Sequence, residues 1–288
     1  MQPITIEQTA ALLRDAEDIL IITHIRPDGD TAGSACALCL GLRALGKRAY
    51  LAKNPPSMRR YEKYMEPYFA PEGFLPGFVA AVDIAGQGQF PPGYGSWAEK
   101  CDLAIDHHGT NTGYAARLLL DDHSAAAGEL VYLVLRELGA ALTPDMAEAL
   151  YVALATDTNG FRTAGTTGRT LSIAGELHDA GFDVFGLTRQ LFETKAPARL
   201  RLETYLFGSM RFPLPGVCVM TLPYGVIEEL GVTEDDMDKL SVLTTVPADT
   251  AAGVLLRQLS DGTWKISLRT DGRVHAGAVL RALGGGGH

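Results

Sequence analysis

His24-Ile25-Arg26-Pro27-Asp28-Gly29-Asp30-Thr31-Ala32-Gly33-Ser34 puts one imidazole and two carboxylates within seven residues, directly after the apolar run Ile19-Leu20-Ile21-Ile22. A buried strand ending there presents these groups at its carboxyl end, where open α/β sheets build their sites. Pro27 and Gly29 impose a tight turn, and a helix opening at Thr31 or its neighbours carries Ala35, Leu38 and Leu42 on one face. Two readings of the stretch are open: a metal site, or an acidic turn whose Asp30 caps the helix. The remaining acidic and histidine clusters have to decide between them.

Working outward, the same arrangement recurs. Residues 7–17 read as a helix and Asp18–Thr23 as the strand that feeds the opening stretch; a helix over 31–46 and a strand at Arg48–Lys53 follow. Pro55-Pro56 breaks the chain, and a short helix is expected at Tyr61–Met65. Phe78–Ala85 is an apolar strand that reaches its last ligand-type residue at Asp83. After a Gly- and Pro-rich loop over 86–96, Asp102–Ile105 runs into Asp106-His107-His108. Three strands thus end in ligand-type residues. Alternation of such strands with helices predicts an α/β fold, a doubly wound and mainly parallel sheet. Two helices follow: one over Ala125–Leu138, and one capped by Thr143-Pro144 that ends at Thr156-Asp157-Thr158-Asn159-Gly160.

Helical segments continue to about Tyr205. Strands at Gly216–Leu222, Ala251–Gln258 and Trp264–Arg269, with helices near Glu234–Val246 and His275–Leu283, mark a second, smaller α/β domain. The expected organisation is residues 1–194 as the first domain, 195–209 as a linker helix and 210–288 as the second domain.

A chain of 288 residues, 47% of them hydrophobic, is long enough for two such cores. Its apolar runs are far shorter than a bilayer span, and Met1-Gln2-Pro3-Ile4-Thr5 lacks the basic and apolar regions of a signal peptide. A cytoplasmic protein with no membrane partner is the expectation. Cys36, Cys39, Cys101 and Cys218 fit reduced core thiols, since no second Cys or His pair follows at zinc-site spacing. The net charge of −9 argues against binding to long nucleic acid, which needs many phosphate-neutralising cations. Carboxylates gathered around divalent ions would account for part of that charge.

Collected, the ligand-type residues are His24, Asp28 and Asp30, then Asp83, then Asp106-His107-His108, then Asp157. A set of carboxylates and imidazoles suits two hard or borderline divalent ions, Mn2+ foremost with Mg2+ or Co2+ as alternatives, and such pairs promote phosphoester hydrolysis.

At this point the chain resembles a known family. His-x-x-x-Asp-x-Asp with a following Gly-Ser, the strand-final Asp83, the Asp106-His107-His108 triplet, and Asp157 in Ala-Thr-Asp-Thr-x-Gly-Phe-Arg are similar to the four motifs of the DHH phosphoesterases. Ser267-Leu268-Arg269, the helix from His275, and Gly284-Gly285-Gly286-Gly287-His288 resemble the DHHA1 substrate-binding domain of one branch, that of the oligoribonuclease and pAp phosphatase enzymes.

The resemblance implies roles by position. His24, Asp28 and Asp83 would hold one metal, and Asp30, Asp83, His107 and Asp157 the other, with Asp83 bridging. His108 would contact the scissile phosphate or protonate the leaving oxygen, the alternative being a structural hydrogen bond. Asp106 would orient the histidine pair. Arg269, His288 and the amides of Gly285, Gly286 and Gly287 would grip the far phosphate or a base across an interdomain cleft. Arg162 is either a phosphate contact or a surface ion-pairing residue. Asp121-Asp122-His123 reads as a cap for the helix beginning near Ser124.

Two departures from the family pattern stand out: Asn159 replaces a small residue, and Ala164-Gly165 replaces a Ser-Asn pair. The pattern also normally runs past its terminal histidine into a closing strand, so the end at His288 reads as trimmed.

The expected function is hydrolysis of very short RNA to mononucleotides and of pAp to AMP. The runner-up is a phosphodiesterase for linear or cyclic dinucleotides (pGpG, pApA, c-di-AMP). The family's inorganic pyrophosphatases fit less well because their second domain lacks the glycine run, and a non-catalytic nucleotide-binding regulator is the reading from another class. A homodimer through the first domain is a further implication of the resemblance.

Overall fold

The computed structural model describes residues 1–55, 58–233, 235–282, 284 and 285. The chain divides into two compact units, Met1–Glu193 and Thr194–His288.

The first unit opens with β1 (Gln2–Pro3) and α1 (Ile6–Asp15), the latter started by a capping box in which Thr5 and Gln8 satisfy each other's backbone amides. β2 (Ile19–Thr23), α2 (Gly29–Ala44), β3 (Ala49–Leu51), the single turn α3 (Glu62–Met65) and β4 (Phe78–Val82) follow, then β5 (Leu103–Asp106) and β6 (Arg117–Leu120). The six strands form one parallel sheet in the order β1-β6-β5-β4-β2-β3. Every residue of β2 and β4 is buried, as a parallel sheet covered on both faces requires.

On one face α1 and α2 pack with α4 (Ala127–Leu138) and α5 (Pro144–Asp157) in a core that includes Leu13, Leu38, Leu42, Leu130 and Leu150. The other face is covered by loops and short 3-10 turns through Phe90, Ala98 and Cys101. The unit closes with α6 (Gly168–Asp179) and α7 (Val184–Thr188).

Register decides where the site falls. Thr23 lies opposite Val82, and Val82 opposite Ile105. The next residues along the three strands, His24, Asp83 and Asp106, therefore share one edge of the sheet. Two glycines bring a fourth element to that edge. A Cβ on Gly33 would lie 2.2 Å from the Ala149 carbonyl oxygen, and one on Gly29 2.2 Å from Thr156 Oγ1. Only glycine lets α2 approach α5 this closely, which draws the C-terminus of α5, with Asp157, to the N-terminus of α2.

The second unit contains α8 (Pro197–Gly208), β7 (Arg211–Leu214), β8 (Val217–Leu222), α9 (Tyr224–Leu230), β9 (Ala252–Gln258), β10 (Trp264–Thr270) and α10 (Ala276–Ala282). Its sheet runs β10-β9-β8-β7, with β8 and β9 parallel and the outer pairs antiparallel. Leu202 and Leu206 of α8 are buried with Cys218, Met220, Leu222 and Leu255 in one core.

Several expectations need correction. The helix predicted over 234–246 is replaced by 3-10 turns at Asp235–Met237 and Leu240–Thr245. Lys239, with φ 51°, interrupts any continuous helix there. Val242, Thr244, Thr245 and Val246 are β-branched and lose rotamer freedom in a helix. Thr244 is also pressed onto the sheet at Gly253, where a Cβ would meet its Oγ1 at 2.2 Å. β1, β6 and β7 have no counterpart in the sequence reading: two are very short, and β7 contains Pro213, which an edge strand tolerates. Among the described residues no helix is long and apolar enough to cross a membrane. All four cysteines are free and buried, and burial pushes the Cys39 thiol up to about 11, so these are unreactive packing residues.

Candidate metal centre

Asp28, not Asp30, caps α2: its Oδ1 accepts from the backbone amides of Asp30 and Thr31. Asp30 points inward instead, 1% exposed, and its carboxylate accepts from Ser34 Oγ at 2.9 Å and from the amides of Ala127 and Gly128 at 2.7 and 3.0 Å. The N-terminus of α4 is thereby satisfied by a residue nearly a hundred positions earlier. The Asp121-Asp122-His123 cluster, expected to do this, folds into its own turn, with Asp121 accepting from the amide of His123 and from Ser124 Oγ. The α4 N-cap falls later, at Ala126.

The histidines are aimed by acceptors on their far sides. His24 Nδ1 lies 2.9 Å from the Ile25 carbonyl oxygen and His107 Nδ1 3.1 Å from that of Ser124. A carbonyl only accepts, so Nδ1 carries the proton and Nε2 presents its lone pair to the site. His24 Nε2 is 3.6 Å from Asp28 Oδ1 and 3.6 Å from Asp83 Oδ2. His107 Nε2 is 3.6 Å from Asp30 Oδ2, 3.6 Å from Asp83 Oδ1 and 3.5 Å from Asp157 Oδ2. The two oxygens of Asp83 thus face different histidines. Among the described residues, three groupings have the spacing of a metal site: His24 with Asp28 and Asp83, Asp30 with His107 and Asp157, and Asp83 with His107 and His108.

Two observations test whether this donor set fits divalent cations. Asp83 is buried, and its Oδ1 has no hydrogen-bond partner among the described residues. Burial, then the charges of Asp30 and Asp28, holds the Asp83 carboxyl well above the usual carboxylate range. Burial, then Asp157 and Asp28, does the same to Asp30. Packing two such groups together without cations is costly, and divalent ions relieve it. The donors are oxygens and imidazole nitrogens with no thiolate, the chemistry of Mn2+, Mg2+ or Co2+.

Asp106 is fully buried and accepts at Oδ1 from the amides of His107 and His108 and from His108 Nδ1 at 2.8 Å; its Oδ2 accepts from Asn111 Nδ2 at 2.6 Å. Burial would raise its pKa, but the His108 and Asn111 hydrogen bonds outweigh burial and leave it lowered. His108 is raised, first by that hydrogen bond to Asp106, against the opposing effect of burial. Asn111, Ser34 and Ser124 are site residues the sequence reading left without a role; Ser34 was visible in the opening stretch and Asn111 three residues after His108.

Arg162 is exposed and folds back onto its own loop, donating through Nε to the Asn159 carbonyl at 2.7 Å. In the second unit, Arg269 donates through Nε to Ser241 Oγ at 3.1 Å and lines a pocket of about 260 Å3 together with Lys239, Ser241, Arg257, Lys265 and Ser267. The amide of Gly285 bonds the Leu280 carbonyl. Gly286, Gly287 and His288 lie outside the described residues.

Residues 18–154 match the DHH family, N-terminal domain. A bifunctional oligoribonuclease and PAP phosphatase NrnA of Thermus thermophilus is 34% identical over 273 residues, which span 94% of this chain and 81% of that relative. The chain belongs to the DHH family. A second relative of this family, the bifunctional oligoribonuclease and PAP phosphatase NrnA of Bacillus subtilis, is 27% identical over 94% of the chain and 87% of its own length. Among solved structures, an exopolyphosphatase-related protein from Bacteroides fragilis superposes with a TM-score of 0.84 at 21% identity, covering 98% of this chain and 88% of that one. RecJ of Thermus thermophilus, solved in complex with Mn2+, superposes with a TM-score of 0.51 at 15% identity over 97% of this chain and 49% of its own. Both superpositions show a shared fold.

Proposed function

We propose that this DHH protein is a metal-dependent phosphoesterase that hydrolyses very short oligoribonucleotides to mononucleotides and removes the 3′-phosphate of pAp. The observation that carries the reading is Asp83, a buried carboxylate with one oxygen toward His24 and Asp28 and the other toward His107. His24, Asp28 and Asp83 would hold one ion, and Asp30, Asp83, His107 and Asp157 the second; Mn2+ is the foremost candidate. When bound, such a pair supplies Lewis-acid polarisation of a phosphoryl oxygen and acidification of water.

The chain's own residues do the rest. The Ile25 and Ser124 carbonyls keep both ligating imidazoles in the tautomer with Nε2 free. His108, about two-fifths exposed and held through Nδ1 by Asp106, keeps Nε2 for a proton that passes to the leaving oxygen as the ester bond breaks. In the second unit, Arg269 is the residue for a nucleotide phosphate, and its pocket suits one nucleotide rather than a long strand. A small cationic pocket in a chain of net charge −9 fits a terminal nucleotide better than a tracked polymer.

The test is hydrolysis with Mn2+ on pAp, a linear dinucleotide, a long oligoribonucleotide and pyrophosphate. Turnover of pAp and the dinucleotide, with pyrophosphate untouched, is expected. Failure on all four substrates with metal bound would replace this reading by that of a nucleotide-binding regulator. Turnover of the dinucleotide alone would favour a dedicated dinucleotide phosphodiesterase.

A further inference from the structure

The half of the site around His107 and Asp30 is aimed by one short segment. The carbonyl of Ser124 fixes the His107 ring, and the amides of Ala127 and Gly128, three and four residues on, fix the Asp30 carboxylate. Each end of this segment is tied to a single side chain. Arg169, in the first turn of α6, donates through Nη2 to Ser124 Oγ at 2.7 Å and to Asp121 Oδ2 at 2.9 Å. Through Nε it donates at 2.9 Å to Oε2 of Glu129, which is fully buried in the first turn of α4. The other oxygen of Glu129 accepts a short hydrogen bond from Thr170 Oγ1, and Ser124 Oγ reaches Asp121 Oδ2 at 2.9 Å. The guanidinium is thus a planar fork spanning both ends of the segment, a geometry lysine cannot reproduce.

We propose that Arg169 is a positioning residue for one of the two metal sites, that of Asp30, His107 and Asp157, while the site of His24, Asp28 and Asp83 does not depend on it. The inference rests on the metal set of the preceding reading. It makes the two ions separable: a ligand's orienting partner commonly governs metal affinity by about 10–100-fold, and here one residue holds the segment that supplies the partners of two ligands of the same ion.

Isothermal titration and EPR of Mn2+ binding to the full chain read this directly. The wild type should take two ions. Arg169→Gln should weaken one of them about 10–100-fold, leaving the other within about threefold, and Arg169→Lys should restore part of the loss. Nitrogen NMR of the metal-free chain should show the His107 tautomer mixed in Arg169→Gln and single in the wild type. Because Arg169→Gln leaves buried Glu129 without its cation and can fail to fold, Ser124→Ala is the second variant. It removes only the hydroxyl that Arg169 holds, keeps the carbonyl, and should weaken the same ion several-fold. Arg136→Gln, at the exposed pair with Glu176, is the control and should change neither ion.

Equal weakening of both ions by Arg169→Gln, or no change with Ser124→Ala and an unaltered His107 tautomer, overturns the proposal. A wild type that binds fewer than two ions overturns the proposal and the metal set together. Absent hydrolysis with two ions bound counts only against the function proposed above.

Discussion

Replacing Asp83 by Asn separates charge from shape at the middle of the site. Asp83 stands at φ 61°, in the left-handed region that Asn tolerates well and Ala does not. The amide therefore keeps the backbone at the end of β4 and removes only the ionisable group. In the metal-free chain the Asp83 and Asp30 carboxyls are both raised, by burial first and by neighbouring carboxylates second. A carboxyl raised on folding binds more protons in the folded chain than in the unfolded one. Its contribution is greatest below the ordinary carboxyl value and is lost as pH rises toward the folded value. Within that window each group steepens the loss by up to about 1.4 kcal/mol per pH unit, so the pair gives at most about 2.8 kcal/mol per unit. Urea unfolding in chelator between about pH 5 and 8 should show Asp83→Asn falling less steeply than the wild type and standing more stable at the alkaline end. Added Mn2+ should reverse the order: at about 100 times its dissociation constant an ion stabilises the wild type by about 2.7 kcal/mol, and the variant should gain far less. An Asp83→Asn chain that is less stable than wild type in chelator near pH 8, with the slope unchanged, would refute the electrostatic account.

Gly33→Ala tests the close approach of α2 to α5. A Cβ 2.2 Å from the Ala149 carbonyl must push the helices apart, at a cost of about 1–3 kcal/mol seen as a lower urea midpoint, with weaker Mn2+ binding because Asp30 and Asp157 separate. Asp106→Asn removes the first cause of the raised His108 pKa. If His108 gives its proton to the leaving oxygen, the rate falls as pH rises through that pKa. The alkaline limb of the kcat profile should then move to lower pH in Asp106→Asn, and an unmoved limb would assign the proton donor elsewhere.

Much of this arrangement was legible in the chain because parallel strands are written as apolar runs and sites form at their carboxyl ends. Ile19–Ile22, Phe78–Val82 and Leu103–Ile105 each stop at a His or Asp, so the candidate ligands could be found one strand at a time. The second unit was less readable. Its 235–245 segment has the length of a helix but β-branched residues and a left-handed Lys239, and its edge strand β7 carries a proline. Local pattern also leaves the cap of α2 undecided. Asp28 and Asp30 are two apart in an acidic turn, and only the neighbours across space decide which one turns to the backbone and which one turns inward to Ser34, Ala127 and Gly128.

That exchange shows what kind of information the sequence lacks. Which residues can bind a cation is a property of side-chain type, but how they divide between cations is a property of register. Thr23 opposite Val82 opposite Ile105 sets Asp83 between the two histidines, and a slip of one residue in β4 would turn its carboxylate to the other face of the sheet. The polar contacts that hold this division in place are longer-ranged still: Asp30 to Ala127 and Arg169 to Glu129 join segments 97 and 40 residues apart. Each of these residues, read in its own neighbourhood, is an ordinary helix-end charge. Only the packing of α4 against α2 and α6 brings them together behind the proposed metal ligands, so variants at Arg169 and Ser124 would report on tertiary order in the site, and variants at Asp83 on its charge.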